Sequence, residues 1–185
     1  VEDWANTGEC RGPSGWLTSN MGSFSVEGTL TCEQGSPGAV GAHFAKVTDQ
    51  LLTGMGMQQA SITIGVQGTF PGFPFTERPD ALNGMWQFHP QGGAHDGVVS
   101  AALTRWNPVT HQRDVIANAP IHATDAITSW ESFSSPFLYY SEEYPDSAIV
   151  SVQASSALAG DGTSLWVDAL SFGQLQSMKE EVAAA

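Results

Sequence analysis

Positive charge is the scarcest property of this chain. Its 185 residues include only six Lys and Arg, two of them Lys, against 19 Asp and Glu, a net charge of −13. Without a cationic surface to neutralise phosphates, nucleic-acid binding is excluded as a working function. Long apolar runs are also missing. None approaches the roughly 20 residues of a spanning helix, and no basic amphipathic stretch suggests a lipid surface. The first residues from Val1 show neither a basic nor an apolar leader region, as expected of a processed or trimmed terminus. Total charged content is low at 14%, yet the 41% apolar fraction is enough to fill a core, so disorder is not expected.

Catalytic and phosphate-binding signatures are absent too. No G-x-S-x-G elbow occurs, and Gly12-Pro13-Ser14-Gly15 lacks the strand–turn–helix setting that exposes a nucleophile. Gly54-Met55-Gly56 is followed by neither the further glycine nor the helix of a dinucleotide loop. The five histidines form no H-x-H, H-x-x-x-H or H-E-x-x-H pattern. His89 and His95 flank a Gly-rich turn and would be the place for zinc, but ordinary surface histidines are the preferred reading. A glycosidase needs two facing carboxylates. Glu77 and Asp80 have Arg78 as a local partner, Glu142-Glu143 reads as a solvated loop, and Glu131 stands alone. No enzyme is expected.

What is present is punctuated β sequence. Short runs of Val, Ile, Thr and aromatics alternate with Gly, Pro, Asn and Asp. Strands are expected at Val40–Val47, Ala60–Gln67, Met85–His89, Val98–Trp106, Asp114–Ala117, Ser129–Leu138, Ala148–Ala154 and Ser164–Phe172, with a weaker one at Phe24–Thr31. Eight or nine such strands make an all-β antiparallel sandwich, expected as one domain over 1–173. Residues 174–185 are expected to be a tail or linker, ending in Ala183-Ala184-Ala185 as a remnant foreign to the fold.

Period 2 puts Trp166, Asp168, Leu170 and Phe172 on one face of the last strand, and Leu165, Val167 and Ala169 on the other. Both faces are apolar, so this strand is central, and a carboxylate there needs amide, cationic or metal partners. Calcium takes oxygens from separate loops, so Asp168 with Glu2 or Asp3 is the expected structural site, should first and last strands lie side by side. The alternative is Asp168 satisfied by backbone amides or Arg. Cys10 and Cys32 read as one disulfide of an exported protein, with two unrelated buried thiols as the alternative.

Six Trp exceed what a core of this size needs. Flat rings stack on sugar faces while polar side chains meet the hydroxyls. In Met85-Trp86-Gln87-Phe88-His89, Trp86 and Phe88 share one face and Gln87 and His89 the other. Arg105-Trp106-Asn107 closes a strand at a loop, a natural binding position. Trp86, Trp106, Arg105 and His89 are therefore the expected ligand residues, and Arg78 is expected to pair with Glu77 or Asp80.

Several segments in order resemble one family: Thr76-Glu77-Arg78-Pro79, Ala81-Leu82-Asn83-Gly84 with Trp86, Asp96 after a Gly-containing turn, Tyr144-Pro145-Asp146-Ser147-Ala148, Ser155-Ser156, and Gly162-Thr163-Ser164-Leu165-Trp166-Val167-Asp168. Trp4 and Pro13-Ser14-Gly15-Trp16 extend the likeness. The segment Thr76–Phe172 resembles the carbohydrate-metabolism (PCMD-type) β-sandwich domain of secreted Bacteroidota proteins. That resemblance implies a jelly roll akin to carbohydrate-binding modules, on exported or cell-surface proteins, with a last-strand Asp that helps hold calcium. The chain departs from the family at Trp86-Gln87-Phe88 and Ala169. The function expected is a non-catalytic module that binds glycan. The alternatives are a structural or adhesive surface domain contacting other domains, and a glycan-active hydrolase or lyase.

Overall fold

The computed structural model describes residues 3–7, 10–65, 72–92, 96–157 and 160–173. The expected tail, 174–185, lies outside them, as do Glu2 and His95. The chain opens with a hairpin of β1 (Trp4–Thr7) and β2 (Cys10–Pro13), then β3 (Trp16–Thr18), a helix α1 (Asn20–Glu27) and β4 (Cys32–Gly35). Next come β5 (Phe44–Thr48), a small hairpin of β6 (Gln50–Leu52) and β7 (Gly56–Gln58), β8 (Ser61–Ile64) and β9 (Phe73–Pro74). The long strands follow: β10 (Ala81–His89), β11 (Gly97–Asn107), β12 (Gln112–Ala123), β13 (Ile127–Pro136), the short β14 (Leu138–Tyr139), β15 (Ser147–Gln153) and β16 (Ser164–Gly173).

These strands form an antiparallel jelly-roll sandwich. One sheet has the order β13-β10-β16-β5-β4, and the other β14-β12-β11-β15-β8-β3 with β9 beside β15. The chain crosses between sheets from β10 to β11, from β12 to β13 and from β15 to β16, so each long strand packs against sequence neighbours in the opposite layer. Alternation drives this. Leu82, Trp86, Phe88, Val47, Leu165 and Val167 fill the inner face of the five-stranded sheet. Val99, Ala101, Leu103, Ile62, Val150 and Val152 oppose them.

The central place of the last strand is as expected, with β10 and β5 flanking β16. Its period-2 reading fails halfway. The register against β10 shifts between Asn83 and Met85, opposite Ala169, whose φ is 49°. This bulge places an extra residue in β16 and reverses the faces beyond it. Trp166 and Asp168 point outward, whereas Leu170 and Phe172 pack on the core.

Two other strand expectations need correction. Phe24–Thr31 is not a strand, because its first half belongs to α1. That helix ends at Gly28, in the left-handed conformation, whose N–H donates to Phe24 C=O at 2.8 Å. Val40–Val47 begins as a strand only at Phe44. Residues 36–43 instead loop over Asp168, and Gly38 permits the approach, since a Cβ there would meet the carbonyls of His43 and Val40 and Asp168 Oδ2 at 2.8–3.0 Å. Among the described residues, no helix is long and apolar enough to cross a membrane.

Candidate functional site

A groove forms at one end of the seven-stranded sheet, where the β11–β12 hairpin turns. Asn107 builds that turn. Its Oδ1 accepts the N–H of Val109 (2.9 Å) and Thr110 (3.2 Å), and its Nδ2 donates to Asp114 (2.8 Å). The loop 141–146 lies alongside, and three of the chain's four arginines converge on it. Arg78 donates to the carbonyls of Ser141 (3.0 Å) and Glu143 (2.5 Å), with its guanidinium 4.0 Å from the Tyr139 ring centroid. Arg105 donates to Tyr144 C=O at 3.3 Å and lies 3.7 Å from the Glu143 carboxylate. Arg113 holds Asp146 Oδ1 at 2.5 Å, while Asp146 Oδ2 accepts the Trp106 N–H at 2.9 Å. Arg78 therefore fixes the loop through carbonyls and an aromatic face. The expected pairing with Glu77 or Asp80 gives way because these carbonyls sit directly in its reach.

The result is an open groove of about 630 Å³, lined by Thr76, Arg105, Trp106, Pro108, Tyr144 and Asp146 among others. Trp106 is 46% exposed and Tyr144 62%, which is unusual for rings of this size. Burial pushes the Asp146 carboxyl up, but the Trp106 N–H and the Arg113 and Arg105 charges outweigh it and hold it below the usual carboxylate range. Asp146 is thus a charged fixture. Arg105, by contrast, makes one long hydrogen bond and one loose ion pair, leaving most of its donors for a ligand.

The four ligand residues expected from sequence are not brought together. Arg105 and Trp106 meet in the groove. Trp86 is 6% exposed, packed against Phe133 with ring centroids 4.9 Å apart, so its faces belong to the core. The Trp86/Phe88 alternation itself is correct, but it is the inner face that they occupy. His89 lies on the outer face of the other sheet, hydrogen-bonded to Gln87 at 3.2 Å and 4.6 Å from the Trp166 ring. Burial and the Lys46 charge lower its pKa. Trp166 also stacks on Phe44 at 4.9 Å, so protein rings already neighbour it on two sides.

Asp168 is buried and finds amides. Its Oδ2 accepts the Val40 N–H at 2.9 Å and its Oδ1 the Ala169 N–H at 2.8 Å. The first strand does not flank the last, Asp3 is exposed with its carbonyl bound by Ser14 N–H, and Glu2 is outside the described residues. No three His, Cys, Asp or Glu side chains gather among the described residues. Calcium takes about six to eight oxygens; the two amides on Asp168 favour the other expectation, a carboxylate satisfied by backbone N–H groups, and chelation decides between the two. Chelation with EDTA should leave the melting midpoint unchanged. A fall of several degrees would assign a bound ion here after all. The Cys10–Cys32 bond also lies outside the described residues, because the Cys10 side chain does; Cys32 is buried at the start of β4.

Sequence reasoning missed Tyr144 and Asp146 as groove residues, and it gave two further acids no role. Asp49 is fully buried and hydrogen-bonded by Ala60, Ser155 and Gly160. Asp96 joins Ser156 and His122, the latter at 2.6 Å, and these two hydrogen bonds hold its carboxyl below the usual range. Tyr144-Pro145-Asp146 was visible as a motif, but nothing local says that it faces Trp106.

Fold and groove define a jelly-roll β-sandwich with a polar, aromatic-lined cleft at its loop end. A Bacteroides thetaiotaomicron protein provisionally named a glycoside hydrolase has this fold, with TM-score 0.69 and 15% identity over 94% of this chain and 66% of its own. One from Bacteroides vulgatus, with the same provisional name, gives 0.68 and 15% over 92% of this chain and 89% of its own. A carbohydrate-binding module specific for non-crystalline cellulose gives 0.44 and 12% over 86% and 87%. Identities at this level speak to the fold alone. No family model matches the chain, and no curated protein does.

Proposed function

We propose that this protein is a non-catalytic carbohydrate-binding module whose sugar site is the Arg105–Trp106–Tyr144 groove. The observation that carries the proposal is two large, exposed rings in an open cleft beside Arg105, which has donors to spare. An exposed ring offers an apolar face to a pyranose, and guanidinium N–H groups meet hydroxyl oxygens. The chemistry for hydrolysis is weakly supplied, because the carboxylate lining the groove, Asp146, is committed to Arg113 and a backbone N–H. The adhesive reading calls for an exposed apolar patch holding Trp130, Phe133 or Tyr139; Phe133 is buried and the other two are half-buried. Placement on an exported or cell-surface protein, with a Cys10–Cys32 bond, is part of the same proposal.

A glycan array probed with the wild type, Trp106→Ala and Arg105→Gln tests it. Binding to at least one glycan is expected. It should fall at least tenfold in Trp106→Ala, a loss of about 1.4 kcal/mol, and less in Arg105→Gln. Trp106 is exposed, so both variants should melt near the wild type. Binding that ignores both substitutions would move the site elsewhere, and a blank array would reject the module.

A further inference from the structure

Beyond the groove, the outer face of the seven-stranded sheet carries further exposed side chains among half-buried ones, with Thr104 covered. Ala101 and Leu103 of β11 point into the core, so Ala102, Thr104 and Trp106 point outward. Their partners on β12 are Asn118, Val115 and Arg113. On the far side of β12, Leu138 pairs with Asn118, and Tyr140 donates its N–H to Ile116 C=O (2.8 Å) and its hydroxyl to Asn118 Oδ1 (2.9 Å). Tyr140 and Leu138 are 57% and 61% exposed, and half-exposed Val115 lies between them and the groove.

Trp106 and Tyr140 are two strands apart across the sheet and about three residues apart along it. Strand spacings of about 4.8 Å and a rise of about 3.3 Å per residue separate them by roughly 14 Å. No single sugar ring spans that distance. Arg113 and Asn118 stand among the apolar groups. Arg113, held by Asp146, adjoins Trp106, and the Asn118 amide oxygen accepts the Tyr140 hydroxyl, so polar groups stand beside both rings as a hydroxyl-rich chain requires.

We propose that the ligand is an oligosaccharide chain, lying obliquely across this face with one unit on Trp106 and a later unit on Tyr140. The proposal rests on the sugar-binding reading of the groove. Two linked contacts bind together at high effective concentration, so affinity climbs with chain length until both are covered.

The experiment is calorimetric titration with gluco-, xylo-, galacto- and manno-oligosaccharides, each as mono-, tri- and hexasaccharide. For the sugar that binds, the wild type should gain at least tenfold from monosaccharide to hexasaccharide. Tyr140→Ala should lose that gain and leave the monosaccharide unchanged, while Tyr140→Phe keeps it. Trp106→Ala should weaken every length. Affinity independent of length, or a Tyr140→Ala protein that binds hexasaccharide like the wild type, overturns the chain while leaving the groove intact. No binding by the wild type at any length or sugar overturns both. A concentration-dependent dimer abolished by Tyr140→Ala would give the face to a second copy of this chain instead.

Discussion

Asp49→Ala is expected to lower the free energy of unfolding by about 3–5 kcal/mol, a large part of the roughly 5–15 kcal/mol that a domain possesses. Asp49 follows β5 and has no exposed surface. Its Oδ1 accepts the Ala60 N–H at 2.8 Å, and its Oδ2 accepts the Ser155 hydroxyl at 2.6 Å and the Gly160 N–H at 3.3 Å. Its own N–H donates to Thr163 C=O, and its carbonyl accepts the Gly162 N–H, both at 2.9 Å. One residue thus ties the start of β8, the end of β15 and the approach to β16. Alanine keeps the backbone links but strands three donors, and each buried donor left without a partner costs about 1–3 kcal/mol. Asn restores one acceptor, and the Ser155 hydroxyl can rotate to accept from its amide, so Asp49→Asn should cost about half as much. Guanidinium titration at constant slope measures both. An alanine variant within about 1 kcal/mol of the wild type would mean that water replaces the carboxylate at no great cost.

Asp49 also shows where sequence reasoning stops. Its side-chain partners lie 11, 106 and 111 residues away, and no local pattern encodes that convergence. The same holds for α1. Its Gly- and Ser-containing sequence has little amphipathic character, and the helix is anchored by buried Asn20, which bonds the backbone of Thr31 and Cys32. Asp168 was legible because it sits in an alternating apolar run, where a carboxylate stands out. The face of Leu170 and Phe172 was not, because one residue at positive φ reverses a period-2 count. Trp86 and Trp106 illustrate the limit for binding sites. Each is a tryptophan in a strand, and what separates them is the Phe133 ring packed on the first and a turn beyond the second. The turn could be read from Asn107-Pro108; the Phe133 contact could not. Strand β12 was read short, since Asn118 and Pro120 look like breakers. Pro120 is tolerated because β14 pairs with β12 only at Ala117 and Asn118, leaving that stretch a sheet edge.

Gly35→Ala should be nearly as damaging, at about 3 kcal/mol, the upper end of what overpacking costs. Gly35 pairs directly with Phe44 across β4 and β5, and the Phe44 ring lies over it. A Cβ at 35 would fall far inside contact distance of ring atoms Cζ, Cε1 and Cε2. The ring has nowhere to go: it stacks on Trp166 at 4.9 Å and meets Trp130 edge-on at 5.1 Å. An aromatic residue covering a strand glycine in this way stabilises the edge pairing, and only glycine admits it. The cost is therefore a property of the pair. Phe44→Ala alone should lose about 3–5 kcal/mol of packing, but in that background Gly35→Ala should cost less than about 1 kcal/mol. A double-mutant cycle would then report a coupling of about 2 kcal/mol. If Gly35→Ala costs the same with and without the ring, the strain lies in the β4 backbone and not in the Phe44 contact. Since Gly35 and Phe44 belong to the five-stranded sheet, away from Trp106, residual folded Gly35→Ala protein should keep the glycan binding proposed for the wild type. This separates loss of stability from loss of the site.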